Sequence, residues 1–274
     1  MTRILITGSN SGFGRLAALT FARQGHDVVA TMRNLGKGDD LRALAAAEDL
    51  PIEIRALDVC DPASVVDAIG DASELDVVVN NAGFEVAGAV EMVGDELLAR
   101  QFDTNVAGPL RLIRAVLPAW RERGSGTIVN VSSIAGVVGA PYGGVYAASK
   151  HALEALSEAL HFETSIYGIR TRLVEPGRFS TGFRGNIVAV PGWEGSEYAA
   201  RNDRFRASQS VLSGDGPEPD PQDVADAIVA AALDPATPFR QFVGNDAQLI
   251  SSVKSSMTFE EFETTMRSTL DWYD

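Results

Sequence analysis

Cysteine is almost absent: Cys60 is the only one in 274 residues. A single thiol excludes an intramolecular disulfide framework and a cysteine-built zinc cluster. Histidine is scarce as well. His26, His151 and His161 show no metal-ligand spacing, so no metal site is expected. Basic residues are outnumbered, 23 against 37 acidic, which leaves a net charge of −14 and a pI near 4.6. A molecule of that sign repels polyanions, so neither nucleic acid nor an anionic membrane is expected as a partner. No stretch approaches the roughly 18 apolar residues of a membrane span. Met1-Thr2-Arg3 leads straight into Ile4-Leu5-Ile6, too short a core for a signal peptide, and the expectation is a cytoplasmic protein.

What is present is ordinary globular material, 45% hydrophobic and 22% charged, which excludes wholesale disorder, collagen and a coiled coil. The length is enough to bury a core without staples. The acidity is uneven. Residues 215–274 hold 12 acidic and 3 basic side chains, a net of −9, and the first 214 carry only −5. An anion site can therefore survive in the N-terminal part.

Short apolar runs alternate with helical patterns. Strands are expected at 3–7, 27–32, 51–57, 75–80, 127–132, 169–174 and 239–244. Helices are expected at 12–24, 39–48, 61–69, 95–123, 146–167 and 220–233. Asp61-Pro62 and Asp220-Pro221 each place a capping side chain before a first-turn proline. Apolar rather than alternating strands, separated mostly by helices, imply a doubly wound α/β fold. Its seven-stranded parallel sheet would be covered by helices on both faces. The whole of 1–274 reads as a single domain. Residues 180–219 break the rhythm, rich in Gly, Ser and Arg, and read as a substrate loop or lid. Residues 246–274 read as an acidic C-terminal extension, its aromatics (Phe259, Phe262, Trp272, Tyr273) packing on the domain or on a partner subunit.

Between the first strand and the first helix stands Thr7-Gly8-Ser9-Asn10-Ser11-Gly12-Phe13-Gly14. Glycines there let the backbone turn sharply and approach a pyrophosphate, which the helix N-terminus then receives. The alternative is a tight turn with close helix–strand packing. The spacing G-x-x-x-G-x-G is followed in order by Asp58-Val59, Asn80-Asn81-Ala82-Gly83, Asn105, Ser133, Tyr146-Ala147-Ala148-Ser149-Lys150 and Pro176-Gly177 with Thr181. This series resembles the short-chain dehydrogenase/reductase family, a Rossmann-type fold. Ser133-Ile134-Ala135-Gly136-Val137-Val138-Gly139 and Ala30-Thr31-Met32-Arg33-Asn34 look nearest to its hydroxysteroid and retinol dehydrogenase branch.

The resemblance implies a cofactor site on Gly8, Ser9, Asn10, Ser11, Gly12, Phe13 and Gly14. In it Asp58 holds the adenine amino group and Val59 contacts the ring. Asn81, Ala82 and Gly83 form the floor, and Pro176, Gly177, Phe179 and Thr181 meet the nicotinamide side. Asn80 either touches the cofactor or satisfies backbone groups at its strand end. At the end of the second strand Met32 fills the position where a carboxylate would repel a 2′-phosphate, and Arg33 beside it offers a guanidinium fork. Thr31, Ser9 and Asn10 are expected to add hydrogen bonds. NADP(H) is thus the expected cofactor, with NAD(H) the alternative. Ser11 stands where many NADP-binding members have a second basic residue.

Tyr146 and Lys150, four apart, share one face of a helix. A lysine ammonium favours the phenolate of a tyrosine whose ordinary pKa is near 10. That tyrosine can exchange a proton with a carbonyl or alcohol oxygen, and Ser133 can hold that oxygen. The resemblance makes Asn105, Ser133, Tyr146 and Lys150 the catalytic set, Tyr146 and Lys150 also touching the cofactor, and has Asn105 bind a water that links Lys150 to solvent. Tyr142 reads as a pocket wall, His151 as surface, His161 and Cys60 as packing. Val86, Val137, Val138, Phe183 and Trp193 make an apolar pocket for a small carbonyl or alcohol substrate. Arg178, Arg184, Arg201, Arg204 and Arg206 either receive an acidic substrate or are solvated. Two other classes stay open: a non-catalytic NADP-binding regulator, and a lyase or epimerase on the same fold. Assembly as a homodimer or homotetramer through the two long helices is expected.

Overall fold

The architecture is taken from a computed structural model, which describes residues 1–181, 185–213 and 219–271. Seven parallel strands form one sheet: β1 (Arg3–Ile6), β2 (Asp27–Met32), β3 (Ile52–Ala56), β4 (Val77–Asn80), β6 (Gly126–Val131), β7 (Ile169–Pro176) and β9 (Arg240–Val243). Their spatial order is β3-β2-β1-β4-β6-β7-β9. The central strands are apolar because both faces are covered. Ile4, Leu5, Ile6, Val78 and Val79 are wholly buried. On one face lie α1 (Gly12–Arg23) and α8 (Pro221–Leu233), against Ile4, Ile6 and Val79. On the other, α3 (Pro62–Ile69) and α5 (Gly108–Arg123) bury Leu112, Val116 and Trp120 against Leu5, Val78 and Ile128. The chain order reverses between β1 and β4, so the crevice at their C-terminal ends is the expected ligand site of such a sheet. Both the glycine loop after β1 and the Asn80–Gly83 turn after β4 open there.

Both expected caps form. Asp61 accepts from the Ala63 N–H at 2.9 Å, and Asp220 from the Gln222 N–H at 2.9 Å. The remaining helices are α2 (Asp39–Ala47), α4 (Asp95–Phe102), α6 (Gly144–Thr164), α7 (Ala199–Ser208), α9 (Asn245–Ser256) and α10 (Phe259–Leu270).

Three features depart from the sequence expectation. The helix expected over 95–123 is broken into α4, a π-turn at Asp103–Ala107, and α5. Pro109 has no N–H to give the carbonyl four residues back, so the regular bond pattern lapses where the π-turn meets α5. A second, two-stranded sheet pairs β5 (Glu85–Ala87) with β8 (Ile187–Ala189) in parallel. Three residues are too few to show alternation, and β8 lies inside the segment read as a loop. The C-terminal extension folds into α9 and α10 on its own molecule. Leu270 packs with Phe205 and Leu212, Ala247 is wholly buried, and Phe262 is 7% exposed. Trp272 and Tyr273 lie outside the described residues.

Candidate active site

Two glycines explain the loop after β1. Gly8 has φ +70°, a left-handed conformation that a side chain would strain. At Gly14 a Cβ would stand 2.5 Å from Asn81 Nδ2 and 2.6 Å from the Gly8 carbonyl oxygen. That close approach is held by Asn81 Nδ2, which donates to the carbonyls of Thr7 (2.8 Å) and Gly8 (3.2 Å). The Thr7 hydroxyl ties the two strand ends together, accepting from the backbone N–H groups of Asn81 and Ala82, both at 2.9 Å. Ser11 is the N-cap of α1, yet its side chain makes no capping bond. The first-turn N–H groups therefore keep their capacity to bind an anion, as a pyrophosphate site requires. Phe13 meets Phe179 edge-on at 5.6 Å, which fastens the segment after β7 to the rim of this cradle. The cradle fits a dinucleotide.

Several expected contacts are occupied otherwise. The hydroxyls of Ser9 and Thr31 both donate to the Ile6 carbonyl, at 3.0 and 2.9 Å, and both residues are fully buried. The Thr31 bond ties β2 to β1, and the Ser9 bond closes the turn after β1. Asn10 Nδ2 donates to Ser11 Oγ at 3.4 Å. Met32 is 2% exposed and turned into the core against Gly38. Arg33 is exposed, and no ion pair holds it among the described residues. Asp58 Oδ1 accepts from the Cys60 N–H at 3.0 Å. The Val59 side chain is buried against Gly108, which leaves its backbone as the part that can face a ring. Asn80 is 3% exposed and donates to Asn130 Oδ1 at 2.8 Å, a structural bond between β4 and β6.

Across the crevice, α6 places Tyr146 and Lys150 side by side. Lys150 Nζ lies 5.8 Å from the Tyr146 ring centroid and donates to the Val131 carbonyl at 2.9 Å. Ser133 hydrogen bonds to the Tyr146 phenol, and its Oγ also accepts from the Ala135 N–H at 3.2 Å. Asn105, in the π-turn, is 1% exposed. Its Nδ2 donates to the Phe84 carbonyl (3.0 Å) and Ser149 Oγ (3.1 Å), and its Oδ1 accepts from the Phe84 N–H (3.2 Å). It thus braces the turn after β4 against α6. Gly83 lies beside it, between Asn105 and Lys150.

The electrostatics differ from the expectation that Lys150 lowers the tyrosine. Burial, and then the nearby charge of Glu85, push the Tyr146 phenol well above its ordinary value, and only the Ser133 hydrogen bond opposes them. Burial pushes the Lys150 ammonium down to about 8, against the charge of Glu154. Tyr146 thus keeps its proton at neutral pH, as a tyrosine with an ordinary value near 10 also would.

Behind Lys150 lies a group of charges that no motif announced. Arg240 Nη1 reaches both Glu154 (2.5 Å) and Glu175 (2.8 Å), and its Nη2 reaches Glu158 (2.6 Å). The Glu154 side chain is 5% exposed and that of Glu175 is sealed. Burial and the facing Glu154 carboxylate push Glu175 up to about 8. A second missed residue is Asp246 of α9, 2% exposed, whose Oδ2 accepts from the Arg178 N–H at 2.8 Å. It pins the segment after Pro176-Gly177, where Gly177 N–H donates to Val243 at 2.9 Å. Thr181 lies over Gly12 at the edge of the same cradle.

On the substrate side, Phe84, Val86 and Val190 form a small apolar cluster with Trp193 against it. Tyr142 has φ +64°, a strained value for a residue with a side chain. Its ring meets Trp193 at 5.7 Å and Tyr198 at 6.1 Å. Val137 and Val138 are half-buried. Gly182, Phe183 and Arg184 lie outside the described residues. His151 is exposed, and the His161 ring lies 5.0 Å from that of Phe239. Burial raises the Cys60 thiol, which contacts Thr104 at 3.3 Å, so it is no nucleophile at neutral pH.

The family model described as short chain dehydrogenase matches residues 2–191. The 3-ketodihydrosphingosine reductase of Bacteroides thetaiotaomicron is 37% identical over 262 residues, covering 92% of this chain and 91% of that protein. Human retinol dehydrogenase 8 is 38% identical over 251 residues, 87% of this chain and 80% of its own. Among solved structures, a short-chain dehydrogenase from Streptomyces avermitilis is 35% identical with a TM-score of 0.78, over 98% of both chains. A short-chain dehydrogenase from Burkholderia cenocepacia, solved in complex with NADP, shares the fold at 22% identity and a TM-score of 0.74, over 98% and 97% of the two chains. Among the described residues no helix is long and apolar enough to cross a membrane, and no His, Cys, Asp and Glu side chains cluster as metal ligands.

Proposed function

The chain belongs to the short-chain dehydrogenase family, and from that premise we propose that it is an NADP(H)-dependent oxidoreductase interconverting a ketone and a secondary alcohol on a largely apolar substrate. One observation carries the reading: half-buried Tyr146, hydrogen bonded to Ser133 and flanked by Lys150, stands at the same C-terminal edge of the sheet as a glycine cradle whose helix N-terminus is uncapped.

When bound, the dinucleotide supplies or accepts the hydride. Gly8, Gly12, Gly14 and the N–H groups opening α1 hold its pyrophosphate. Asp58 and the backbone of Val59 bracket the adenine, and Arg33 takes the 2′-phosphate. The segment Pro176, Gly177, Phe179 and Thr181, pinned by Asp246, meets the nicotinamide side. Ser133 Oγ holds the substrate oxygen. Tyr146 Oη gives that oxygen a proton in reduction and takes it back in oxidation. Lys150 supplies positive charge beside the phenol and keeps the ring oriented. Asn105 is a positioning residue that fixes the turn carrying Gly83 and Phe84. Tyr142, Val86 and Trp193, the last from the insert, form an apolar wall on the substrate side.

The test is NADPH oxidation against a panel of ketones from small aromatics to steroids, with wild type and Tyr146→Phe. The expected result is turnover of apolar ketones by wild type. The variant should keep NADPH affinity, because its ring still packs, but lose about a hundredfold or more in kcat, the scale of positioned proton transfer. Near-wild-type rates in Tyr146→Phe would refute the mechanism.

A further inference from the structure

Glu85 lies by the start of α6, near enough for its charge to bear on Tyr146, and no motif calls for an acid there. It opens β5, and its register partner is Ile187 of β8. Alternation along β5 sends Phe84 and Val86 into the apolar cluster and Glu85 the other way, toward the start of α6. A Cβ at Gly143, three residues before Tyr146, would lie 3.8 Å from Glu85 Oε1. The Glu85 side chain is 18% exposed. Among the described residues no hydrogen bond reaches its carboxylate, and its one opposite charge is Arg206 Nη2 on α7, 3.9 Å away. A desolvated carboxylate without donors is costly. This one also works against the reaction, since its charge disfavours the Tyr146 phenolate. An anion held there by one long ion pair and no hydrogen bond is explained if a ligand completes it.

We propose that Glu85 is a specificity-determining residue that receives a protonated amine carried by the substrate close to its reacting carbon, Arg206 serving as counter-charge until the amine arrives. The inference rests on the oxidoreductase reading above. An ammonium offers three donors to a carboxylate that has none, and its charge cancels the one that burdens Tyr146. Arg206, 43% exposed, can then return to solvent. The substrate class is an aliphatic amino ketone or amino alcohol. A ketone of equal size without the nitrogen leaves Glu85 with Arg206 alone, and a keto acid is repelled.

The experiment compares an aliphatic α-amino ketone with the ketone bearing a methyl group in place of the amine. Titration calorimetry measures their binding to the NADP⁺-loaded protein, and NADPH consumption is followed in parallel. Wild type should bind the amino ketone about tenfold or more tightly than its partner, the worth of one charge-assisted hydrogen bond. In Glu85→Gln the ratio should fall to near one. Arg206→Ala should tighten the amino ketone, because the competing cation is gone. Equal binding of the two ketones by wild type, or a ratio unchanged in Glu85→Gln, overturns the proposal. If the plain ketone is reduced while the amine earns no preference, the site falls and the oxidoreductase reading stands. If the preference follows Glu85 but neither ketone consumes NADPH, the site stands and that reading falls.

Discussion

Tyr146 shows how position and environment divide the work of one residue. Its spacing to Lys150 was readable from the chain, because four residues on a helix put two side chains on one face. Its protonation was not, because burial and Glu85 come from the fold and only the Ser133 hydrogen bond opposes them. The consequence is a pH profile. Ketone reduction needs the phenol, which persists well above neutrality, and the Lys150 ammonium, which is lost as pH rises through about 8. We expect kcat/KM for reduction to be level through neutral pH and to fall above pH 8, while alcohol oxidation rises over the same range. Stopped-flow rates in both directions check this, and a reduction rate that climbed steadily from about pH 6 to 9 would contradict it. Ser9 and Thr31 illustrate the opposite case. Polar residues beside a phosphate loop invite a binding role, but here the Ile6 carbonyl takes both hydroxyls. A sequence shows that a donor exists, not which acceptor lies nearest once two strands pair.

At the scale of elements, the strands and most helices were legible because each carries a strong apolar period or a cap, as at Asp61 and Asp220. The π-turn at Asp103–Ala107 and the small β5–β8 sheet were not, since neither has a period of its own. Nor was the joining of β7, β9 and α6 by Arg240, which depends on residues 86 and 65 positions away. Glu175 keeps a proton in the fold up to about pH 8, against an ordinary value of 4.5. Its contribution to stability is therefore full below pH 4.5 and is lost as pH rises through about 8. Arg240→Ala strands two buried carboxyls, and a loss of about 3–5 kcal/mol is expected, the usual cost of removing one partner of a buried pair. Thermal melts near neutrality and above pH 8 should show the larger loss at the higher pH, where both carboxyls must ionise. A variant equally destabilised at both would show that Arg240 acts by packing alone.

At the scale of the molecule, a net charge of −14 sets the global field against a cofactor that carries an additional phosphate. Any preference for NADP(H) must then be local, and Arg33, exposed at the end of β2 and free of ion pairs among the described residues, is the group placed to supply it. An acid at Met32 would be a poor test, because that side chain is buried. Arg33→Ala is the cleaner one. Wild type should prefer NADPH over NADH about tenfold in kcat/KM, and the variant should lose most of that ratio. A wild-type preference for NADH would show that Arg33 serves only as a surface charge. Phe162 and Ile166, at the C-terminal end of α6 and just beyond it, are apolar side chains left 77% and 79% exposed. The central claim is that this fold moves a hydride between cofactor and substrate. The most direct measurement supplies NADPH deuterated at the transferable nicotinamide position with a ketone the protein consumes, and reads the product by mass spectrometry. The account predicts one deuterium per molecule, on the carbinol carbon. Product formed without deuterium, or with no net loss of NADPH, would contradict it and point to an epimerase or lyase.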